Sequence, residues 1–251
     1  MVVARGGSGP ARIKAYLLVA RDIVETMYEQ GMRPGDRYLP EAEAVRHHKV
    51  GRGTYREALR FLESQGVIVM RSGPSGGPEI SQPGWPNLAS TIALLLQFAD
   101  APLRSLLDAR IAIEPGVAEL AAANATDKEI AAMALDLIAI EVEMGNYRKY
   151  SAAYLAYWRD LAASSHNALM AFLSPALRSI VNSAGFVPNE LYRAETLTRL
   201  RGIHAAVAAH DREAARSRMR DLEVEFHRRL TEGYPRQIDR VIAWSDLELP
   251  G

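Results

Sequence analysis

Two arginines, Arg52 and Arg56, stand one helical turn apart in a segment whose other face is apolar. Side chains four residues apart share one face of a helix, so the two guanidiniums point the same way. Such a pair reaches DNA phosphates, or the O6 and N7 atoms of guanine, when its helix enters the major groove. Thr54 offers a hydroxyl to a phosphate, and Gly53 has no side chain to hold the backbone away. The spacing therefore predicts contacts with DNA.

The segments around these arginines predict a winged helix-turn-helix. Hydrophobic periodicity and breaker residues give three helices and two short strands, over residues 13–30, 41–47, 52–65, 67–70 and 79–81. A Gly-rich turn separates the two strands. We expect Arg71 to add charge at this hairpin, and Gly76 and Gly77 to let its tip lie along a groove wall.

An alternative interpretation places the same arginines on an ordinary solvated helix face. In that case Arg52, Arg56 and Arg60 would pair with Glu57 and Glu63 on the same helix. Local spacing alone does not separate the two interpretations, but the surrounding helix-turn-helix pattern favours the first.

Composition describes an ordinary folded protein with an uneven charge distribution. The chain has 251 residues, 48% of them hydrophobic and 24% charged, and a net charge of zero. Residues 1–82 carry 12 Lys and Arg against 9 Asp and Glu, a net charge of +3. Residues 83–251 carry 18 against 21, a net charge of −3. The zero total thus hides a mildly basic part, which suits a nucleic-acid partner.

Absent residue types and segments narrow the function classes further. The chain has no Cys, which excludes thiol nucleophiles, disulfides and zinc sites built on thiolates. It has no apolar run of the ~20 residues that span a bilayer and no secretion signal, so we expect a cytoplasmic protein that does not contact membranes. No catalytic fingerprint of common enzyme classes is present, and we expect no enzyme activity.

After Pro86 the pattern is helical throughout. We expect helices over residues 87–99, 102–123, 127–144, 147–165, 168–183, 189–209 and 211–231. The predicted fold class is mainly α: an N-terminal winged helix-turn-helix with a small β hairpin, then an all-α antiparallel bundle of six or seven helices. The expected divisions are a flexible tail, a DNA-binding domain, a linker with a linking helix, an all-helical domain, and a C-terminal tail, over residues 1–11, 12–82, 83–100, 101–232 and 233–251.

The first part resembles the DNA-binding domain of GntR-type bacterial transcriptional regulators. Residues 31–40, Gly-Met-Arg-Pro-Gly-Asp-Arg-Tyr-Leu-Pro, and residues 50–67, which contain Thr-Tyr-Arg-Glu-Ala-Leu-Arg-Phe-Leu, carry the likeness. The resemblance implies operator binding through Arg52, Thr54 and Arg56. Ala42 stands where the family has a DNA-contacting Arg, and Gly51 replaces a usual Ser or Thr. These departures, with a longer Pro-rich wing, predict an altered half-site preference.

The helical part is similar to the effector domain of the FadR subfamily, called FCD. The stretch over residues 107–126 carries most of the likeness, and residues 203–219 resemble a later conserved stretch. Many FCD domains hold a divalent metal with one Asp and three His. The corresponding positions here are Tyr154, Trp158, Leu200 and Leu222, none of which ligates a metal as carboxylate or imidazole does. We therefore predict neither a metal nor another cofactor.

The replacements suggest an apolar ligand chamber. We expect Tyr154, Trp158, Leu200 and Leu222 to surround an apolar or amphipathic effector, with His204 and the Tyr154 hydroxyl among its polar handles. The alternative is a filled core, since aromatic and leucine stripes at helical spacing are commonly just packed side chains.

Arg110 stands beside an apolar helix face, where an unpaired guanidinium is costly. The resemblance implies a place near a carboxylate ligand, which would compensate the charge. The alternative is an ion pair within the helix, with Glu114 at the four-residue step.

Together these features predict a ligand-responsive repressor or activator. It would bind a palindromic operator as a homodimer and respond to a carboxylate-type effector without a metal. A regulator that has lost its effector response, with a filled core, is the alternative.

Overall fold

A computed structural model describes residues 14–73 and 76–247 and divides the chain into two compact units, Met1–Gly84 and Trp85–Gly251. The expected flexible tail over residues 1–11 lies outside the described residues, as do residues 74–75 of the hairpin turn and the last four residues of the expected C-terminal tail. Each unit is described separately below.

The first unit is a helix-turn-helix followed by a hairpin. Its elements are α1 (Ala15–Glu29), α2 (Glu41–His47), α3 (Arg52–Ser64), β1 (Ile68–Arg71) and β2 (Gly77–Ile80). The strands are antiparallel, with Ile68 opposite Ile80. Both of these isoleucines are buried in a core that α1, α2 and α3 complete.

Two backbone features set the turns of this unit. Lys49 has a φ of 53°, so the chain reverses between α2 and α3 in the left-handed region that non-glycine residues seldom adopt. Gly66, with a φ of 75°, follows the last residues of α3 and lets the chain turn into β1. The predicted break before Arg52 and the predicted stop at Gly66 are thus where the chain turns.

The second unit is entirely helical within the described residues. Its seven long helices are α4 (Trp85–Phe98), α5 (Leu103–Asn124), α6 (Asp127–Val142), α7 (Tyr147–Ala163), α8 (Ala168–Ser183), α9 (Glu190–Ala208) and α10 (Arg212–Gly233). A short α11 (Pro235–Ile238) and a 3₁₀ turn (Trp244–Asp246) follow. The predicted fold class, a small winged helix-turn-helix before an all-α bundle, is confirmed.

α5 is the central helix of this bundle and packs against α7, α8, α9 and α10. Two apolar clusters lie along it, the first on its C-terminal half (residues 118–122) and the second on its N-terminal half (residues 103–107). One is formed mainly by α6, α7, α9 and α10, and the other by α4, α8 and the residues after α10. Side chains on α5 therefore contact several helices that are distant in sequence.

Polar residues begin four of these helices. The side chains of Asn146, Asn167, Asn189 and Asp211 each accept a hydrogen bond from a backbone N–H in the first turn of α7, α8, α9 and α10. α6 begins with a capping box between Thr126 and Glu129. The four Asn and Asp caps fix the starts of α7, α8, α9 and α10, which line the cavity described below.

Residues 233–247 pack against the helices of the second unit. Leu103 N–H donates to the carbonyl of Arg240 over 3.0 Å, and Arg104 pairs with Asp239 at 2.8 Å. Ile238 and Ile242 are buried in the cluster that contains α4 and α8. The sequence analysis predicted a tail here, but this segment completes the apolar cluster that contains α4.

No helix among the described residues has the length and apolar character that crossing a membrane requires.

Candidate nucleic-acid interface and ligand cavity

The two faces of α3 differ sharply in burial. Tyr55, Ala58, Leu59 and Leu62 point into the core of the first unit. Arg52, Gly53 and Arg56 are exposed on the other side, and Thr54 is half-buried. The helix thus buries its apolar face and leaves the predicted DNA-contacting residues at the surface.

Arg56 is held by a carboxylate of the preceding helix. Its Nε donates to Oε1 of Glu41 over 3.0 Å, and its Nη2 donates to Oε2 over 3.2 Å. The alternative pairing with Glu57 or Glu63 does not occur. Arg52 has no carboxylate within 4.0 Å among the residues that the structure describes. One arginine is therefore pre-oriented, and the other is open to a partner.

The hairpin carries a second pair of this kind. Arg71 donates from Nε and Nη2 to the two carboxylate oxygens of Glu79, over 3.1 and 2.8 Å. The hydrogen bonds to Arg71 hold the pKa of Glu79 below its usual value. A Cβ at Gly76 would collide with the carbonyl of Arg71, and Gly77 has a φ of 150°. Both glycines are thus required by the backbone of the hairpin itself.

A buried histidine, which the sequence analysis missed, ties the helix-turn-helix together. His48 is fully buried; its Nδ1 lies 2.5 Å from Oδ2 of Asp22 on α1, and its Nε2 lies 2.8 Å from the hydroxyl of Tyr38. Its ring stacks near those of Tyr38 and Tyr55. These contacts connect α1, the end of α2 and α3, and so fix the angle at which α3 is presented.

The second unit contains an ionic network at the centre of its bundle. Arg110 on α5 donates to Glu223 on α10 over 2.9–3.0 Å. Arg178 on α8 lies 2.9 Å from both Glu223 and Glu114. Ser174 donates a further hydrogen bond to Glu114, over 2.9 Å. The network thereby joins three helices through side chains that solvent barely reaches.

In this network the two arginines together lower the pKa of Glu223 by more than burial raises it. Burial alone would raise the pKa of Glu223, but Arg110 and Arg178 hold it below its usual value. Arg178 also lies over the ring of Trp158, with its guanidinium carbon 3.3 Å from the ring centroid. Its Nε and Nη1, like Nε of Arg110, have no hydrogen-bond partner among the described residues. The arginines therefore keep unused donors.

A cavity of about 490 Å³ adjoins this network. Arg110 and Arg178 lie at one wall, and the other walls come from α7, α9, α10 and the loop between α8 and α9. Its lining is rich in aromatic rings: Tyr147, Tyr150, Tyr154, Phe186, Tyr192, Phe226 and Tyr234. The size and the apolar lining with few polar groups are typical of sites for small molecules.

The predicted ligand residues do not all meet at this cavity. Arg110 and Tyr154 line it. Trp158 and Leu200 are fully buried in the core, and Leu222 packs beside them. His204 is half-buried, with its Nε2 3.0 Å from the carbonyl of Ile130. Of the four positions that the resemblance matches to metal ligands in FCD domains, Trp158, Leu200 and Leu222 are thus filled by packing, whereas Tyr154 lines the open space next to them.

Two local expectations differ from the structure. Arg110 pairs with Glu223, on another helix, and Glu114 pairs with Arg178 in place of Arg110. Within the described ranges, no three His, Asp or Glu side chains cluster closely enough to hold a metal ion.

Two residues of the ionic network, Arg178 and Glu223, escaped the sequence analysis. Arg178 follows Leu177 in an apolar helix, and Glu223 lies between Leu222 and Val224. A charge set in an apolar stripe was the available signal for both residues, as it was for Arg110.

Comparisons with known proteins agree with this architecture. Residues 105–225 match the FCD domain family. An uncharacterised HTH-type transcriptional regulator of Mycobacterium tuberculosis is 29% identical over 211 residues, which cover 82% of this chain and 85% of that protein. The Uxu operon transcriptional regulator of Escherichia coli is 29% identical over 209 residues, covering 78% and 77%. The solved structure of a GntR protein from Streptococcus agalactiae has a TM-score of 0.67 and 23% identity, covering 85% of this chain and 99% of that chain.

Proposed function

We propose that the chain, whose residues 105–225 match the FCD domain family, is a GntR-type transcriptional regulator that binds a palindromic operator as a homodimer. Two-fold symmetry of the dimer would present two copies of α3 to two half-sites. The single observation that supports this best is the exposed pair Arg52 and Arg56 on a helix whose other face is buried.

The roles of the contact residues follow from their surroundings. Arg52, which has no carboxylate partner among the described residues, would reach a base edge or a phosphate, and Arg56 would exchange Glu41 for a phosphate. Thr54 would donate to a phosphate, and Gly53 would let the backbone approach. Arg71, Gly76 and Gly77 would place the hairpin along the groove wall.

We further propose that the cavity of the second unit takes a carboxylate-type effector with an apolar or amphipathic body, without a metal. Arg110 and Tyr154 would contact it directly, whereas Trp158, Leu200, His204 and Leu222 would shape the wall behind. Effector binding would favour one arrangement of the dimer and so change operator affinity. The cavity supports this over the alternative of a filled core.

The test begins with DNA fragments selected from a random-sequence library by the full-length protein. Arg52→Ala and Arg56→Ala should each weaken binding to the selected operator by about 10- to 100-fold. Arg148→Ala removes an exposed charge from the second unit and is the matched control, with unchanged affinity expected. Binding is measured by gel shift over a range of salt concentrations.

Wild-type affinity in both α3 variants, with the helical content unchanged by circular dichroism, would contradict the placement of α3 in the groove. A single-chain mass from light scattering, with or without DNA, would contradict the dimer.

A further inference from the structure

Buried charges in the second unit do not balance. Among the described residues of this unit, three arginines and two glutamates are buried: Arg110, Arg178, Arg193, Glu114 and Glu223. The network described above pairs two arginines with two glutamates, so it is neutral. Arg193 is left over, and the buried set carries a net charge of +1.

Arg193 lies on α9 next to Tyr192, which lines the cavity, but Arg193 itself is not among the lining residues. It has no carboxylate within 4.0 Å among the described residues, and its Nε has no hydrogen-bond partner there. Its guanidinium carbon stands 5.5 Å from the ring centroid of Tyr150. An aromatic face compensates a cation only in part, and an unpaired charge in a buried place is costly. The position therefore calls for an anion.

The cavity is where such an anion fits. Tyr150, over which Arg193 lies, lines it, as do Tyr192 and Thr196 on the same helix as Arg193. Burial raises the pKa of Tyr147 and Tyr150, and Arg193 opposes that rise, so its charge is felt at both hydroxyls. Both hydroxyls stay protonated at neutral pH; that of Tyr147 already donates to the carbonyl of Phe186, which leaves that of Tyr150 as the donor for a ligand's oxygens.

The walls set the shape of the rest of the ligand. Tyr150 and Tyr154 lie nearly parallel, with centroids 5.9 Å apart, and Phe186 meets Tyr234 edge to face at 5.1 Å. Tyr150 and Tyr154 lie on the same face of α7, and Phe186 and Tyr234 lie in the segments after α8 and α10, so the cavity offers two aromatic walls on which a planar aromatic body can stack or meet a ring edge-on.

We infer that Arg193 makes this cavity selective for a singly charged aromatic carboxylate. This inference rests on the proposed effector site and adds the charge, the ring and the residue that selects them. One carboxylate balances the +1 charge, a neutral ligand leaves it uncompensated, and a dianion overcompensates it. A long acyl chain leaves the aromatic walls without a stacking partner.

The experiment is isothermal titration of the full-length protein with four probes: 2-naphthoate, its neutral analogue 2-naphthamide, the dianion naphthalene-2,6-dicarboxylate, and decanoate. Wild type should bind 2-naphthoate most tightly, about tenfold more tightly than 2-naphthamide. In Arg193→Gln that preference should fall to nearly one, while the affinity for 2-naphthamide stays the same. Arg201→Gln, which removes an exposed charge from the same helix, should keep the wild-type preference.

Outcomes that overturn the inference differ from those that overturn the proposed function. Equal binding of naphthoate and naphthamide by wild type, tighter binding of decanoate, or an unchanged preference in Arg193→Gln overturns it while leaving an effector site in place. Binding of none of the four probes also overturns it, and operator binding is tested separately through Arg52. If Arg193→Gln does not fold, two measurements still test the inference. Arg193→Lys, which keeps the charge, should retain the preference for 2-naphthoate, and wild type should bind 2-naphthoate more tightly than 2-naphthamide.

Discussion

Arginine–glutamate pairs occur in both units, but they lie in opposite surroundings. In the first unit, Arg56 and Arg71 each form an ion pair with one carboxylate at the surface. In the second, Arg110 and Arg178 share Glu223 in a place that solvent barely reaches. Similar groups at similar distances thus serve two different purposes.

The two kinds of pair differ in how much stability is lost when the arginine and the glutamate separate. Water and salt replace a lost partner at the surface, so exposed pairs contribute little to stability and exchange readily. A buried charge that loses its partner is left without compensation. The surface arginines are therefore available to another anion such as a phosphate, whereas the buried network fixes the helices around the cavity.

The largest expected effect is at Glu223. Glu223→Gln removes the negative charge that two buried guanidiniums share, and we expect the free energy of unfolding of the second unit to fall by about 3–5 kcal/mol. Urea unfolding followed by circular dichroism measures it. The control is Glu119→Gln, since Glu119 also bridges two arginines, Arg212 and Arg216, but at the surface.

Glu119→Gln should unfold close to wild type. Equal losses in the two variants would show that burial does not distinguish the pairs, and the comparison between the units would then fail.

A smaller effect is expected where a carboxylate meets another carboxylate. Partial burial, together with the neighbouring Asp160, raises the pKa of Asp136 to about 6. A carboxyl whose pKa is raised on folding stabilises the protein while protonated, and this contribution is lost as the pH rises through about 6. Asp136→Asn should therefore gain about 1 kcal/mol of stability over wild type at neutral pH, a gain that solvent screening keeps small because this carboxyl is only half-buried.

That gain should vanish as the pH falls toward the unfolded-state pKa of 3.8. Thermal unfolding of both proteins across this range gives the difference, and the exposed Asp221→Asn controls for the change in charge. A gain that is constant with pH would exclude titration of Asp136 as its source.

The smallest effect concerns the surface pair of α3. Glu41→Gln frees Arg56 and removes a carboxylate that competes with phosphate, so DNA affinity should rise about threefold at low salt. Glu43→Gln removes the same charge from the same helix without freeing an arginine. Fluorescence anisotropy with labelled duplex DNA measures both. Equal gains would mean that net charge alone acts, and that the pairing of Arg56 with Glu41 is irrelevant.

Local pattern was enough to predict most of the fold. The predicted α3 over residues 52–65 differs from Arg52–Ser64 by one residue, because Gly66 ends the periodic run. The helix expected from residue 87 begins at Trp85, since Pro86 is tolerated in a first turn, where its missing N–H has no intrahelical partner. Such features depend on neighbours in sequence.

The site was less predictable because it depends on helix packing. Arg110 and Glu114 have the spacing of an ion pair, yet Arg110 pairs with Glu223, 113 residues away. Trp158 has the amphipathic character of a ligand contact, but Arg178 from another helix covers its ring. Which helices adjoin α5 is not encoded in any one stretch, so neither partner could be inferred from spacing.

The segment over residues 233–247, which packs beneath α4, bears on synthesis of the chain. The core of the first unit is complete once Ile80 has left the ribosome. α4 begins only five residues later, but its cluster needs Ile238 and Ile242, which are made last. The apolar side of α4 must therefore wait for about 70 residues until α8 is made, and its cluster stays incomplete until Ile238 and Ile242 follow, at about 5–20 residues added per second. During those seconds the first unit is folded while the apolar core of the second unit is incomplete. This is therefore the interval in which the chain has the most exposed apolar surface for chaperones to protect.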